Sequence, residues 1–339
     1  MINTPRLLGR WLGAVALGGL LSASAAEQKH DLYLSLMLSG QGAIMGGKAP
    51  AKSGYYRSSD RVTFEHVGFH HIRTFGVVAD PLEKDGLYLS ALNGVIHSSD
   101  RGQTWHILTD WRMTEPKGLA VDPHEPEHLY AGLPDGIAVS RNRGLIWQRM
   151  NDGITRGYTH TITVDRTKAG RVLAGTEKGI FLTDDGALTW RRVQATEDIT
   201  YDLRQSPHDP KVFVAVTSKD GALRSDDGGL TWQPIVGVSK NHTLHLFNFD
   251  ARDARRMAIC GWEAGVLVTE DGGRTWTDRS AGLPNRQVWS VGIDPDLPNR
   301  LYAAPYLQPL FVSDDFGLTW KPLQFEKATV FNLMFVPRQ

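Results

Sequence analysis

The sequence predicts an all-β fold: a seven-bladed β-propeller of four-stranded antiparallel blades, closed by pairing of the C-terminal strand into the first blade. Three observations carry this expectation. A short pattern recurs and ends each time on an aromatic residue, at Phe64, Trp105, Trp147, Trp190, Trp232, Trp276 and Trp320, with a period of about 42 residues. Between copies, short apolar runs alternate with Gly- and Pro-containing turns, and no segment shows helical periodicity. The two ends of the chain carry complementary fragments of one repeat.

The pattern is fullest in SDDGGLTW (225–232), TEDGGRTW (269–276) and SDDFGLTW (313–320). SSDRGQTW (98–105) is close, TDDGALTW (183–190) has Ala187 for the second Gly, SRNRGLIW (140–147) has Asn142 for Asp, and SSDRVTF (58–64) is one residue short. Such a stretch suits the turn between the third and fourth strands of a blade. Gly228 and Gly229 permit positive φ, Asp227 accepts N–H groups left free by the turn, and Ser225 adds a hydroxyl. Trp232 then packs an apolar face against the next repeat while its indole N–H finds an acceptor at the sheet edge.

Within the specimen repeat, Tyr158 to Val164 reads as the first strand, Arg171 to Gly175 as the second, Gly179 to Thr183 as the third and Thr189 to Val193 as the fourth. The turn after the first strand recurs as Asp80-Pro81, Asp122-Pro123, Ser206-Pro207 and Asp294-Pro295, where proline fixes φ and ends the strand. Asp31 to Ser35 matches a second strand, so the opening repeat lacks a first one; Val330 to Pro337 reads as a first strand with nothing after it. Joining the two would close the ring and remove both open edges. The expected organisation is therefore a leader over 1–25 and one propeller over 26–339.

The leader is read from Arg6 and Arg10, the apolar run Trp11 to Leu21, and the small residues Ala23-Ser24-Ala25. It predicts a periplasmic or secreted protein, and no later apolar run approaches the length of a membrane span. Thirty-seven Lys and Arg balance 37 Asp and Glu among 339 residues, which disfavours nucleic acid and anionic surfaces as partners. The lone Cys260 cannot form an internal disulfide, and its apolar setting suits an inert buried thiol. No cofactor motif is present, and no metal is expected, because the spacing of His160, His242 and His245 does not demand shared coordination.

The Ser/Thr-x-Asp-x-Gly-x-Thr-Trp pattern starting at 98, 225, 269 and 313, with a near match at 183, resembles the Asp-box, or BNR, repeat of sialidases, xyloglucanase-type glycosidases, sortilin-type receptors and photosystem II assembly propellers. The resemblance spans the repeats and implies a propeller with the boxes at its periphery, away from the ligand face. It does not imply one activity, since that scaffold serves catalysis, sorting and assembly. The chain has His71-Ile72-Arg73-Thr74 and lacks the Phe/Tyr-Arg-Ile-Pro segment of sialidases, which disfavours a true sialidase. Its length suits one propeller, whereas xyloglucanases of this type resemble two fused ones.

Counting back five places from the end of each first strand gives Phe75, Lys117, His160, Tyr201, His245, Trp289 and Phe331. This column would converge at the channel mouth, where a pocket needs a few polar groups among apolar walls. The predicted ligand residues are Lys117, Tyr158, His160, Tyr201, His245, Trp262, Arg286 and Trp289, with Glu115, Asp198, Asp202 and Glu263 as candidate catalytic carboxyls. His242 stands beside them, and the insertion Ser39 to Ser53, bearing Lys48 and Lys52, is read as a flap or a disordered loop. Two functions follow: a noncatalytic module for a peptide, glycan or protein ligand, or a polysaccharide hydrolase or lyase. A hydrolase would need two opposed carboxyls, and a lyase would draw a base from His160, Tyr201 or His245.

Overall fold

The computed structural model describes residues 28–39, 53–68, 73–154, 157–196 and 198–338. The leader, most of the Ser39 to Ser53 insertion and the His70-His71 pair lie outside the described residues. Twenty-seven strands and no helix are present among the residues described. Five sheets have four strands each, and a sixth has seven.

The large sheet is two blades joined by one continuous strand, Lys321–Pro337. Its first part pairs Lys321 with Val312 at the outer edge of blade 7. After left-handed residues at Phe325 and Lys327, it becomes the inner strand of blade 1, with Leu333 opposite Leu34 and Phe335 opposite Leu32. The tail therefore supplies the strand that the opening repeat lacks, and the ring is closed as the chain ends predict.

Blade 4 shows how closely pattern and structure agree. Its strands run Thr159–Val164, Val172–Thr176, Gly179–Thr183 and Arg191–Gln194. The outer strand is the weak point of the expectation: blades 2, 3, 5 and 6 form only two-residue outer strands, such as His106–Ile107 and Gln233–Pro234. The tryptophan sits just before this strand rather than inside it, and its ring packs against the preceding blade rather than the next one, Trp232 of blade 5 meeting Leu173, Ile180 and Leu182 of blade 4.

Seven apolar cores, one at each seam between consecutive blades, hold the ring together. Leu173, Ile180 and Leu182 of blade 4, for example, meet Leu203, Phe213 and Trp232 of blade 5. Leu32 and Leu34 of blade 1 meet Tyr302 and Leu310 of blade 7. Cys260 lies buried in the seam between blades 6 and 7, and burial pushes its thiol far above the usual range.

The repeated turn is a small hydrogen-bonded unit. Asp227 Oδ1 accepts the N–H groups of Leu230 and Thr231 at 3.0 and 2.9 Å, and Oδ2 accepts the Thr231 hydroxyl at 2.7 Å. Ser225 donates to Asp227 at 2.8 Å and accepts Gly229 N–H at 2.9 Å. Burial raises the Asp227 carboxyl, but the Thr231 and Ser225 bonds prevail and hold it down at about 2. The same bonds recur around Asp100 and Asp315, and the degenerate Asn142 still accepts Ile146 N–H at 2.8 Å.

The fourth position of this turn is left-handed throughout, yet three blades place arginine there, Arg61, Arg101 and Arg143. Each reaches the preceding blade. Arg143 Nη2 bonds Asp80 at 2.7 Å, and Arg101 approaches Asp31 at 3.4 Å. Arg61, fully buried, bonds Asp294 at 2.8 Å, Asp296 at 3.1 Å and the His30 carbonyl at 2.9 Å. These seams trade glycine's conformational ease for a guanidinium latch.

Candidate functional site

Each inner strand faces the central channel, and in six blades it carries a β-bulge that leaves one residue unpaired. The unpaired residues are Phe75, His160, Tyr201, His245, Trp289 and Phe331. In blade 3 the equivalent residue, Lys117, directly precedes the strand and donates its N–H to Gly132 at 2.8 Å. A bulge re-aims a side chain out of the pleat. Here one device, repeated in six of the seven blades, and the matching Lys117 of blade 3 bring seven side chains of five chemical kinds to one place.

These side chains form a closed collar. The His160 and Tyr201 ring centroids lie 5.6 Å apart, Tyr201 and His245 5.2 Å, His245 and Trp289 4.5 Å in a stack, and Trp289 and Phe331 5.9 Å. Arg73 continues the collar at 4.2 Å from the Phe331 ring and 5.5 Å from Phe75. Lys117 Nζ stands 3.6 Å from the Phe75 centroid and 5.7 Å from that of Tyr158, whose ring is 4.4 Å from His160. The collar residues line a cavity of about 520 Å³ in the channel.

Several polar groups in the collar have no partner. His160 Nε2, His245 Nδ1 and Trp289 Nε1 are buried without a hydrogen bond, as is Nδ1 of the nearby His242. Buried polar atoms left unpaired are costly, and clustered around a cavity they mark where a ligand or water would be held. Burial pushes both collar histidines down to about 4; for His160 the Lys117 charge adds to this and Asp198 opposes it, and for His245 the Val288 backbone opposes it. Both rings are neutral at pH 7. Lys117 is pushed down to about 8 by burial and by Arg73, against the pull of Glu115.

Below the collar, side chains stitch neighbouring inner strands together. Asn248 donates to the Val291 carbonyl at 2.7 Å, and Asn332 to that of Phe75. Asp202 belongs to this layer: it accepts Phe247 N–H of the next blade at 3.1 Å and Arg204 Nε at 2.8 Å. Its carboxylate lines the cavity but is committed to structure.

The predicted site residues therefore separate. Lys117, His160, Tyr201, His245 and Trp289 line the cavity, and Tyr158 packs on His160. Trp262 lies outside the lining, with its ring 5.6 Å from Trp289 and 5.3 Å from Tyr306. Arg286 is pinned, donating to the carbonyls of Glu263 and Ala264 at 3.1 and 2.9 Å and to Asp278 at 2.7 Å. Glu263 is an exposed turn residue, Asp198 pairs with Lys219 at 3.4 Å, and Glu115 lies 3.4 Å from the Tyr158 hydroxyl. The three histidines form no metal-sized group. Among the described residues, Asp80, Glu83 and His97 do, at the seam of blades 2 and 3, where Arg143 already bonds both carboxylates at 2.7 and 3.0 Å. Arg73 and Arg204 were not singled out from the sequence as binding residues. For Arg73 the available signal was its place two residues before the collar position.

No family model and no curated protein matches the chain in sequence. Among solved structures it is similar to an ancestral GH74 enzyme, with a TM-score of 0.62 at 18% identity over 79% of this chain. The match spans only 38% of that enzyme's chain. It is also similar to YCF48 bound to D1 peptide, with a TM-score of 0.57 at 19% identity over 74% of this chain and 81% of the other. At these identities the likeness establishes the fold: a β-propeller, shared by a glycoside hydrolase and a peptide-binding protein.

Proposed function

We propose that the protein is an exported binding module that holds a peptide, glycan or protein ligand at the collar without turning it over. One observation carries this reading: seven inner-strand positions converge on one cavity and leave buried nitrogen atoms of His160, His245 and Trp289 unpartnered. A rigid aromatic wall with a few unsatisfied polar groups is the chemistry of recognition. The peptide in the YCF48 structure lends support to a peptide ligand.

Hydrolysis of a polysaccharide, the other reading, asks for two carboxyls roughly 5 to 10 Å apart across the sugar. Among the described residues Asp202 is the one carboxylate lining the cavity, and it is held by Arg204 and Phe247. The test is a screen of peptides and glycans against the purified chain, followed by affinity measurement for the strongest ligand. Tyr201→Ala combined with Trp289→Ala is expected to weaken it by about tenfold or more, as loss of central aromatic anchors does. Unchanged affinity, or release of sugar from any glycan in the screen, would contradict the proposal.

A further inference from the structure

Building on that binding reading, we infer that the ligand enters the collar with a carboxylate end, taken by Arg73 and Lys117, and lays a flat or apolar body against the opposite aromatic wall. The collar is asymmetric in charge. The cavity is lined by three cations, Arg73, Lys117 and Arg204, and one acid, Asp202. Arg204 and Asp202 neutralise each other at 2.8 Å. Arg73 and Lys117 remain without an ion pair or a side-chain hydrogen bond among the described residues, 5.5 and 3.6 Å from the centroid of the same Phe75 ring.

Two like charges beside one apolar ring repel each other, and burial removes the water that would screen them. The nearest acid, Glu115, opposes the fall in Lys117 basicity but forms no salt bridge with it. An anion placed between the two cations would relieve both costs. The far wall of the collar is different in kind: His160 and His245 are neutral, and Tyr201 and Trp289 add aromatic surface with an unpaired indole N–H.

The geometry selects among anions. A guanidinium presents paired donors that match a planar carboxylate, and a single ammonium completes the charge. A dianionic phosphate would have to shed more strongly held water than a carboxylate against the apolar rings of Phe75 and Phe331. Closure of the collar on all sides favours a group that enters end-on, so the carboxylate belongs to the tip of the ligand.

The probes are benzoate, its neutral counterpart benzamide, and inorganic phosphate, titrated into the full chain by calorimetry and by tryptophan fluorescence. Benzoate is expected to bind saturably and at least about tenfold more tightly than benzamide. Arg73→Gln and Lys117→Gln should each weaken benzoate about tenfold, leave benzamide unchanged and melt at or above the parent temperature, because each removes a like-charge repulsion, with Lys117→Arg restoring most of the loss in benzoate affinity. No saturable benzoate binding, equal affinity for benzoate and benzamide, indifference to both glutamine variants, or tighter binding of phosphate than of benzoate would each overturn the inference. The two proposals fail separately. A ligand that depends on Tyr201 and Trp289 but not on either cation sinks this inference alone, while benzoate binding that survives loss of both aromatics points to an anion site outside the proposed binding mode.

Discussion

The rim and the collar of this ring repeat in opposite ways. At the rim, the same residues recur and make the same bonds: a Ser or Thr hydroxyl, an Asp carboxylate and a Thr hydroxyl close the turn at Asp100, Asp227 and Asp315 alike. At the collar, the same backbone device recurs with side chains that vary from blade to blade, from Phe75 to His245 to Trp289. Repetition of side chains marks what every blade needs in order to fold, and variation at a fixed backbone position marks what the whole ring presents once. The most conspicuous letters of the sequence are therefore structural, and the proposed site lies where the repeats disagree.

The sharpest way to break the comparison is to open the ring. Removing residues 328–339 deletes the inner strand of blade 1 and exposes the edge of His30–Leu38 that it covers, so the truncated chain is expected to lose its cooperative melting transition and to aggregate. A soluble chain with an unchanged transition would show that closure is dispensable. Next in size is a rim substitution. Trp232→Ala removes a ring buried in the seam between blades 4 and 5 and should cost about 3–5 kcal/mol in denaturant unfolding.

Acidification probes the collar instead. His160 and His245 have folded values of about 4, against 6.5 for an ordinary histidine. Between these values the unfolded chain binds protons that the folded chain does not, so stability is complete above pH 6.5 and falls as pH drops toward 4, by at most about 1.4 kcal/mol per histidine per pH unit. His160→Gln combined with His245→Gln should flatten that slope; a slope unchanged in the double variant would place its origin elsewhere. The smallest effect belongs to a single rim bond. Thr231→Val removes the hydroxyl that donates to Asp227 and should cost about 1 kcal/mol, read as a shift of the unfolding midpoint.

The blade count, the ends of the inner strands to within a residue and the closing strand were legible because each rests on a local signal: a period, a turn or a matched end. The collar column could also be counted from the strand ends. What could not be read was how each side chain is spent. Arg286 and Lys117 look alike in sequence, but loop geometry ties Arg286 to Asp278 and to two carbonyls, while Lys117 stays unpaired over Phe75. Asp202 resembled a catalytic acid until the next inner strand offered it the Phe247 N–H. Arg61 occupies a left-handed position where blades 4, 5 and 6 use glycine, and its reason, Asp294, lies 233 residues away.

The most direct measurement pairs the two regions in one experiment: ligand affinity and melting temperature for the parent chain, for Tyr201→Ala with Trp289→Ala, and for Thr231→Val, using the strongest ligand from the peptide and glycan screen. A collar that binds and a rim that holds predict a dissociation. The collar variant should lose about tenfold or more in affinity while still melting cooperatively, and the rim variant should bind like the parent at a lowered melting temperature. Loss of affinity in the rim variant with none in the collar variant would contradict the assignment.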